Sequence, residues 1–541
     1  MSKGHLLKCC AAFLMLVSVA FAQGGELHFC IKADPKTFNP VAVSDDWSEV
    51  IRYLTGGVLM RVNRQTQQLE PELATSWKVS NAGRTITVTL RPKMYFSDGT
   101  PFTADDVAFT MEQLMDPNLH SVTGDAFRSG SGSVTTKVLA PNKISITFPA
   151  AIAGLDKLFD QVAMMSAKSP KKEMAVLGPF YVADYKSGSY VYLRKNNNYW
   201  KKDSAGRKLP LLDAIKIDIQ PNRDIELLRF RRGELDLINT LDADFYDKLA
   251  EAAPNMIRDA GPSLDSEQFW FNQAPTAPIP AYKREWFKSR NFRVAISRAI
   301  NRDDIARIVY GGHAKPAFGP ASPANKFWFN SKLKPLVYDI GTAQRLLAAD
   351  GFRMTNSTMR DKQGNAVEFS IVVSATAKAR QRIAAMIQQD LGKIGIKVNV
   401  VALDFPSLVD RITNSYNYES AVLGFINTEM DPNSQMTVWL SSGENHAWWP
   451  KQQKPATAWE IEMDKLMQAQ TQSPEVKARK KAWDRVQEIV QEQQPMIYLV
   501  NKNALSAVSS NVVNASPVAL RPQTYWNVDQ LFVKGGERSG Q

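Results

Sequence analysis

The chain has 541 residues, more than one hydrophobic core usually serves, so at least two domains are expected. Hydrophobic residues make up 44% and charged residues 22%, an ordinary globular balance that excludes disorder as a description of the whole. The formal net charge is +12, but no long run of one sign carries it. The densest run, Lys477-Ala478-Arg479-Lys480-Lys481, lies on a helix-patterned stretch and reads as a solvated surface; no basic-plus-aromatic reading motif accompanies it, so nucleic acid is not an expected partner.

At the N-terminus Lys3 and Lys8 precede an apolar run, Cys9 to Phe21, which closes on Ala20-Phe21-Ala22. A basic start, a short apolar core and small residues at −3 and −1 are the pattern of a cleaved secretory signal, here residues 1–22, and the run is short for a membrane span. A periplasmic or other extracytoplasmic location is therefore expected. Cys9 and Cys10 stand at the start of the run, where a lipid-anchor cysteine would not. Cleavage removes two lysines and leaves a charge of about +10. It also leaves Cys30 as the remaining cysteine, so the mature chain has no internal disulfide and no multi-cysteine metal site.

Leu27, Phe29 and Ile31 alternate with polar neighbours and predict a half-buried strand. Ser44-Asp45-Asp46-Trp47 follows; Asp45 and Asp46 start a helix or face a cationic ligand. Residues 84–90 alternate in the same way and lead to the turn Ser97-Asp98-Gly99-Thr100. Thr103 is placed to cap a helix carrying Asp105 and Asp106 in its first, partly positive turn. Two consecutive helices are predicted over 292–310, the second capped by Asn301 and stopped by Gly311-Gly312. Val367, Phe369, Ile371 and Val373, then Ile383, Ile387, Leu391 and Ile394, then Ile396, Val398 and Val400 give strand, helix, strand: a βαβ unit with a parallel crossover. A helical pair follows over 457–492, and an apolar strand from Met496 to Val500.

From Leu69 to Val107 the chain carries Leu69-Glu70-Pro71-Glu72-Leu73-Ala74-Thr75-Ser76-Trp77 and Phe96-Ser97-Asp98-Gly99-Thr100-Pro101-Phe102-Thr103-Ala104-Asp105-Asp106-Val107. Gly178-Pro179-Phe180-Tyr181, Asn198-Tyr199-Trp200, Arg232-Gly233-Glu234-Leu235-Asp236-Leu237 and Ala343 to Phe352 follow in order. This ordered set resembles the signature of the family 5 extracellular solute-binding proteins, the peptide and nickel receptors of ABC importers. The resemblance implies an α/β, periplasmic-binding-protein-like fold: two α/β lobes joined by a hinge of crossing strands, with an extra domain inserted in the first. Lobe one would be 23–55, 177–275 and 505–541, the inserted domain 56–176, and lobe two 276–504. It also implies a monomer that closes over a peptide or small solute, hands it to the permease subunits of a membrane transporter, and catalyses nothing.

In dipeptide receptors of this family an aspartate grips the ligand amine and an arginine its carboxylate. Counting back from Asp431-Pro432 puts Thr428 at the first position, in the loop Phe425-Ile426-Asn427-Thr428-Glu429. Ser374 stands at the second, with Arg380 and Arg382 close by. Both anchors are missing, which points away from free dipeptides and toward longer or modified peptides; a carbohydrate receptor is the alternative. Candidate ligand contacts are Asp46, Trp47, Trp270, Phe425, Asn427, Thr428, Glu429, Trp439, Trp448 and Trp449, since aromatic faces suit peptide side chains or sugar rings. Packing in the core is the commoner fate of any one tryptophan. An enzyme lacks a visible constellation. His5, His28, His120, His313 and His446 are scattered with no i, i+4 pair for a metal, Gly130-Ser131-Gly132 lacks the glycine spacing of a nucleophile elbow, and Asp105-Asp106 belongs to a helix start. No metal or cofactor is expected.

Overall fold

The structure is a computed structural model and describes residues 24–119, 121–128, 131–169, 174–425 and 430–534. The expected signal, residues 1–22, and the candidate contacts Asn427, Thr428 and Glu429 lie outside the described residues.

Three sheets organise the chain. The first has the strand order Glu26–Ile31, Ala214–Ile219, Tyr190–Lys195, Phe180–Lys186, with a parallel first pair and antiparallel neighbours beyond it. The alternation of the first strand works as expected: Leu27, Phe29 and Ile31 are buried, against Ile51 and Leu54 of the helix Asp46–Thr55. Asp45 caps that helix, its carboxylate accepting from the backbone N–H groups of Trp47 and Ser48, both at 3.0 Å.

The second sheet is antiparallel, in the order Ala74–Ser80, Thr85–Leu90, Lys143–Thr147, Thr135–Ala140. Ile86 and Val88 pack with Ile144, Ile146 and the inner residues of the helix Ala104–Met115, Val107 and Met111. That helix begins where Thr103 predicts. The Asp106 carboxylate reaches back to the Thr103 backbone N–H at 2.8 Å and also accepts from the backbone of Ala167 at 3.0 Å, tying the helix start to the next loop.

The third sheet runs Leu237–Ile238, Ile497–Val508, Ile257–Phe271, Ser420–Phe425, Glu368–Ser374, Lys397–Leu403, with Ala314–Pro316 also paired to Ile497–Val508. The βαβ unit is present. Glu368–Ser374 and Lys397–Leu403 are parallel in unbroken register, and the helix Lys378–Gly392 lays Ile383, Ile387 and Leu391 on them. The helix end is close-packed: at Gly395, with φ +72°, a Cβ would lie 2.6 Å from Met354 Sδ and 2.8 Å from the Met359 nitrogen, so only glycine fits. The helical pair is Ala458–Gln472 and Val476–Gln493. One local expectation is corrected. After the helix Arg290–Ala299, Asn301 caps a single turn, Arg302–Asp304, and the backbone then widens into a π-turn, Ile305–Val309. A π-turn keeps an apolar stripe close to that of an α-helix, so periodicity could not separate them.

The strands Ile257–Phe271 and Ile497–Val508 are the long spine of the molecule. They pair antiparallel, but their register slips between Asp259 and Pro262, between Pro262 and Ser266, and between Glu267 and Gln268. On one side of these slips lie Leu237–Ile238 and the first sheet, and on the other the βαβ unit.

Candidate ligand-binding cleft

A narrow cleft, with about 80 Å³ of free space inside its mouth, lies where three stretches of chain meet. One wall comes from Val62 to Gln67 and Gly154 to Gln161, the facing wall from Asn325 to Trp328 and Met430-Asp431, and the end from Leu520-Arg521. Three arginine–aspartate pairs build it. Arg64 Nη2 meets Asp160 Oδ2 at 2.8 Å, Arg521 Nη2 meets Asp265 Oδ2 at 2.9 Å, and Arg479 Nη2 meets Asp431 Oδ1 at 2.5 Å. Arg64 is further held by the carbonyl of Arg521 at 2.8 Å and that of Val62 at 2.7 Å. Burial works to lower the Arg64 pKa, but Asp160 and Tyr53 together outweigh it and hold the group above its usual value. These paired charges fix the walls and leave little uncompensated charge inside.

The aromatic surface of the cleft is supplied by Phe327 and Trp328. Phe327 is 47% exposed, with the Lys157 ammonium of the opposite wall 6.0 Å from its ring centre. Trp328 is buried beneath the Arg479 guanidinium, which stacks 5.0 Å from its ring. Arg479 departs from the solvated face expected of residues 477–481, of which Lys477, Ala478 and Lys481 are exposed. It is 2% exposed, because the helix Val476–Gln493 turns this one position inward onto Asp431 and Gln470.

None of the expected contacts among the described residues lines this cleft. Trp270, Trp439 and Trp448 are core residues, not cleft residues, and each indole N–H is taken by a neighbour: Tyr418 at 3.2 Å, Gln435 at 2.9 Å and Glu460 at 3.1 Å respectively. The aromatic payload of each is spent on the cluster that includes Leu408, Met463, Trp483 and Val486. Trp449 and Phe425 are half-buried at the edge of the same cluster. Trp47 packs on the first sheet and Asp46 is exposed in the first turn of its helix. The cleft residues missed by sequence reading come from segments without periodicity. The aromatic triplet Phe327-Trp328-Phe329, set between Asn325 and Asn330, was the available signal.

Near the family's carboxylate position, Ser374 is buried and shares a hydrogen bond with Thr376. Arg380 Nε is bound to the buried Glu267 at 2.8 Å, while Arg382 is held by Asp244 at 3.2 Å and the Val309 carbonyl at 3.2 Å. Glu267 also faces Lys502, 3.6 Å away. Gly424 closes over the Arg380–Glu267 pair; a Cβ there would collide with both side chains.

A family model for bacterial extracellular solute-binding proteins, family 5 middle, matches residues 68–447. The chain belongs to that family. Among its relatives, this family 5 protein is 29% identical over 443 residues to a probable ABC transporter-binding protein of Deinococcus radiodurans, covering 74% of this chain and 73% of the other. It is 25% identical over 515 residues to the oligopeptide-binding protein AppA of Bacillus subtilis, covering 91% and 88%. In fold, it resembles the ABC transporter substrate-binding protein CtaP of Listeria monocytogenes, with a TM-score of 0.78 at 22% identity, over 95% of this chain and 100% of that one. Members of the family bind substrates for transport. Among the described residues no helix is long and apolar enough to cross a membrane, and no group of three or more His, Cys, Asp or Glu side chains could hold a metal.

Proposed function

We propose that this chain captures peptides, longer or modified ones rather than free dipeptides, and delivers them to the permease of an ABC transporter as a non-enzymatic, extracytoplasmic receptor. The observation that carries the reading is the cleft itself. Its walls come from stretches far apart in the chain, so a solute inside touches both only when they are brought together, and binding then stabilises the closed form. We divide the molecule into 23–55, 177–275 and 505–541 as one lobe, 56–176 as its inserted domain, and 276–504 as the second lobe, with the slipped strands as hinge, so that Ser266–Phe271, beyond the slips and paired with Ser420–Phe425, moves with the second lobe.

The name of the Bacillus relative supports an oligopeptide. The engagement of Arg380 by Glu267 and of Arg382 by Asp244 supports a ligand not caught by its carboxylate at that point, as a free dipeptide would be. A sugar receptor needs stacked aromatic faces in the cleft. With Trp270, Trp439 and Trp448 in the core, Phe327 and Trp328 are the aromatic residues lining it. Native mass spectrometry of protein purified without denaturation tests the reading. A bound peptide mass is expected, together with a rise in melting temperature on adding a peptide pool. A co-purified sugar, or a peptide pool that leaves the transition unmoved, refutes it.

A further inference from the structure

Two projections of the 56–176 region reach across the cleft and dock on the facing wall. The first is the tip of the hairpin formed by Met60–Val62 and Leu69–Pro71. Gln67, at its turn, donates from Nε2 to the Ala324 carbonyl at 2.6 Å and accepts from the Lys326 backbone N–H at 3.2 Å. The second is the turn Ile152-Ala153-Gly154. The Ala153 N–H donates to the Thr471 carbonyl at 3.2 Å, and the Ala153 carbonyl accepts from Asn433 Nδ2 at 3.1 Å. Gly154 then has φ +66°, and a Cβ on it would lie 3.0 Å from Asp431 Oδ2 and 3.4 Å from Arg479 Nη1.

The receiving surface is built in advance. Arg479 Nε is bound to the Gln470 carbonyl at 2.9 Å, Gln470 Nε2 to Asn433 Oδ1 at 2.8 Å, and Asp431 caps the turn holding Asn433. Gln470 is fully buried, and its bonds to Arg479 and Asn433 tie the receiving side chains into one network. Asp431 Oδ2 is buried under Gly154 without a hydrogen-bond partner, a polar atom covered by the docking turn.

We propose that Gln67 and the Ala153-Gly154 turn form a latch that holds the two walls shut by protein–protein contacts, with Gly154 as the position that must stay bare for closure. The inference rests on the reading of the molecule as hinged lobes. The latch adds to whatever grip the solute supplies, and it sets the fraction of molecules already competent to bind tightly.

Small-angle X-ray scattering on the mature full chain, stripped of co-purified ligand by denaturation and refolding and shown empty by native mass spectrometry, tests this on Gln67→Ala and Gly154→Leu. Gln67 spends its side chain on the two cross-cleft bonds, so Gln67→Ala is expected to fold normally and to shift the open-to-closed ratio by roughly tenfold or more. Both variants should show a larger radius of gyration than wild type with unchanged circular dichroism. Should Gly154→Leu lose its fold, Gln67→Ala decides alone. Scattering of Gln67→Ala indistinguishable from wild type overturns the latch. Because no ligand is present, that result is separable from a failure of the peptide reading, which the bound-ligand mass addresses.

Discussion

Replacing Glu460 by glutamine tests why Trp448 is a core residue rather than a ligand contact. Glu460 Oε1 accepts from the Trp448 indole at 3.1 Å. Oε2 accepts from the backbone N–H groups of Ala456 and Thr457 and from the Thr457 hydroxyl, each at 2.9 Å, completing a capping box at the start of Ala458–Gln472. His446 Nε2 stands 3.8 Å away. Burial works to raise the Glu460 pKa, but His446, Trp448 and Thr457 together outweigh it and bring it from 4.5 to about 2. A depressed carboxylate pKa contributes stability above the unfolded value and loses it as pH falls toward the folded one. The shift corresponds to about 3 kcal/mol at pH 7, shrinking to roughly 1 kcal/mol at pH 3. For a folding unit of roughly 200 residues this is a melting-temperature loss of about 6–12 °C for Glu460→Gln at neutral pH. Calorimetry at pH 7 and pH 3 measures both. A variant within 2 °C of wild type at pH 7, to within about the resolution of such a scan, or a loss of equal size at both pH values, refutes the argument.

Other consequences are open to direct measurement. Asp160→Ala leaves the Arg64 guanidinium buried without its partner and should lower stability by about 3–5 kcal/mol in urea titrations. Burial, with Glu226 nearby, raises the Cys30 thiol to about 12, so its alkylation at pH 8 should run roughly a thousandfold slower than that of the urea-unfolded chain. Gly424→Ala forces a methyl into the Arg380–Glu267 pair and should cost about 1–3 kcal/mol, read as a lower denaturation midpoint.

The fold was legible in sequence wherever burial follows a local period. The strand at 26–31, the strand at 85–90 and the βαβ unit all show their inward faces as a spacing of two or of three to four residues. The cleft was not. Its residues sit mostly in turns and single-turn segments, with Arg479 reaching it from a long helix, and what decides their role is a partner distant in sequence: Gln67 meets Ala324, Arg64 meets Asp160, and Arg479 meets Asp431. The tryptophans show the same limit. Nothing adjacent to Trp270 reveals that the Tyr418 hydroxyl, 148 residues on, accepts a hydrogen bond from its indole N–H. Size and aromaticity suit a pocket and a core equally, and the distant hydrogen-bond acceptor separates the two.

The slips in the paired strands Ile257–Phe271 and Ile497–Val508 concentrate bending into a few residues around Gly261 and Pro262, where Gly261 has φ +80° and Pro262 offers no N–H to the ladder. Substitutions there touch no solute. On the hinged-lobe reading proposed above, they act on how often the receptor is shut when a solute arrives, so uptake efficiency is tuned from this joint while the cleft lining, and with it the choice of cargo, stays as it is.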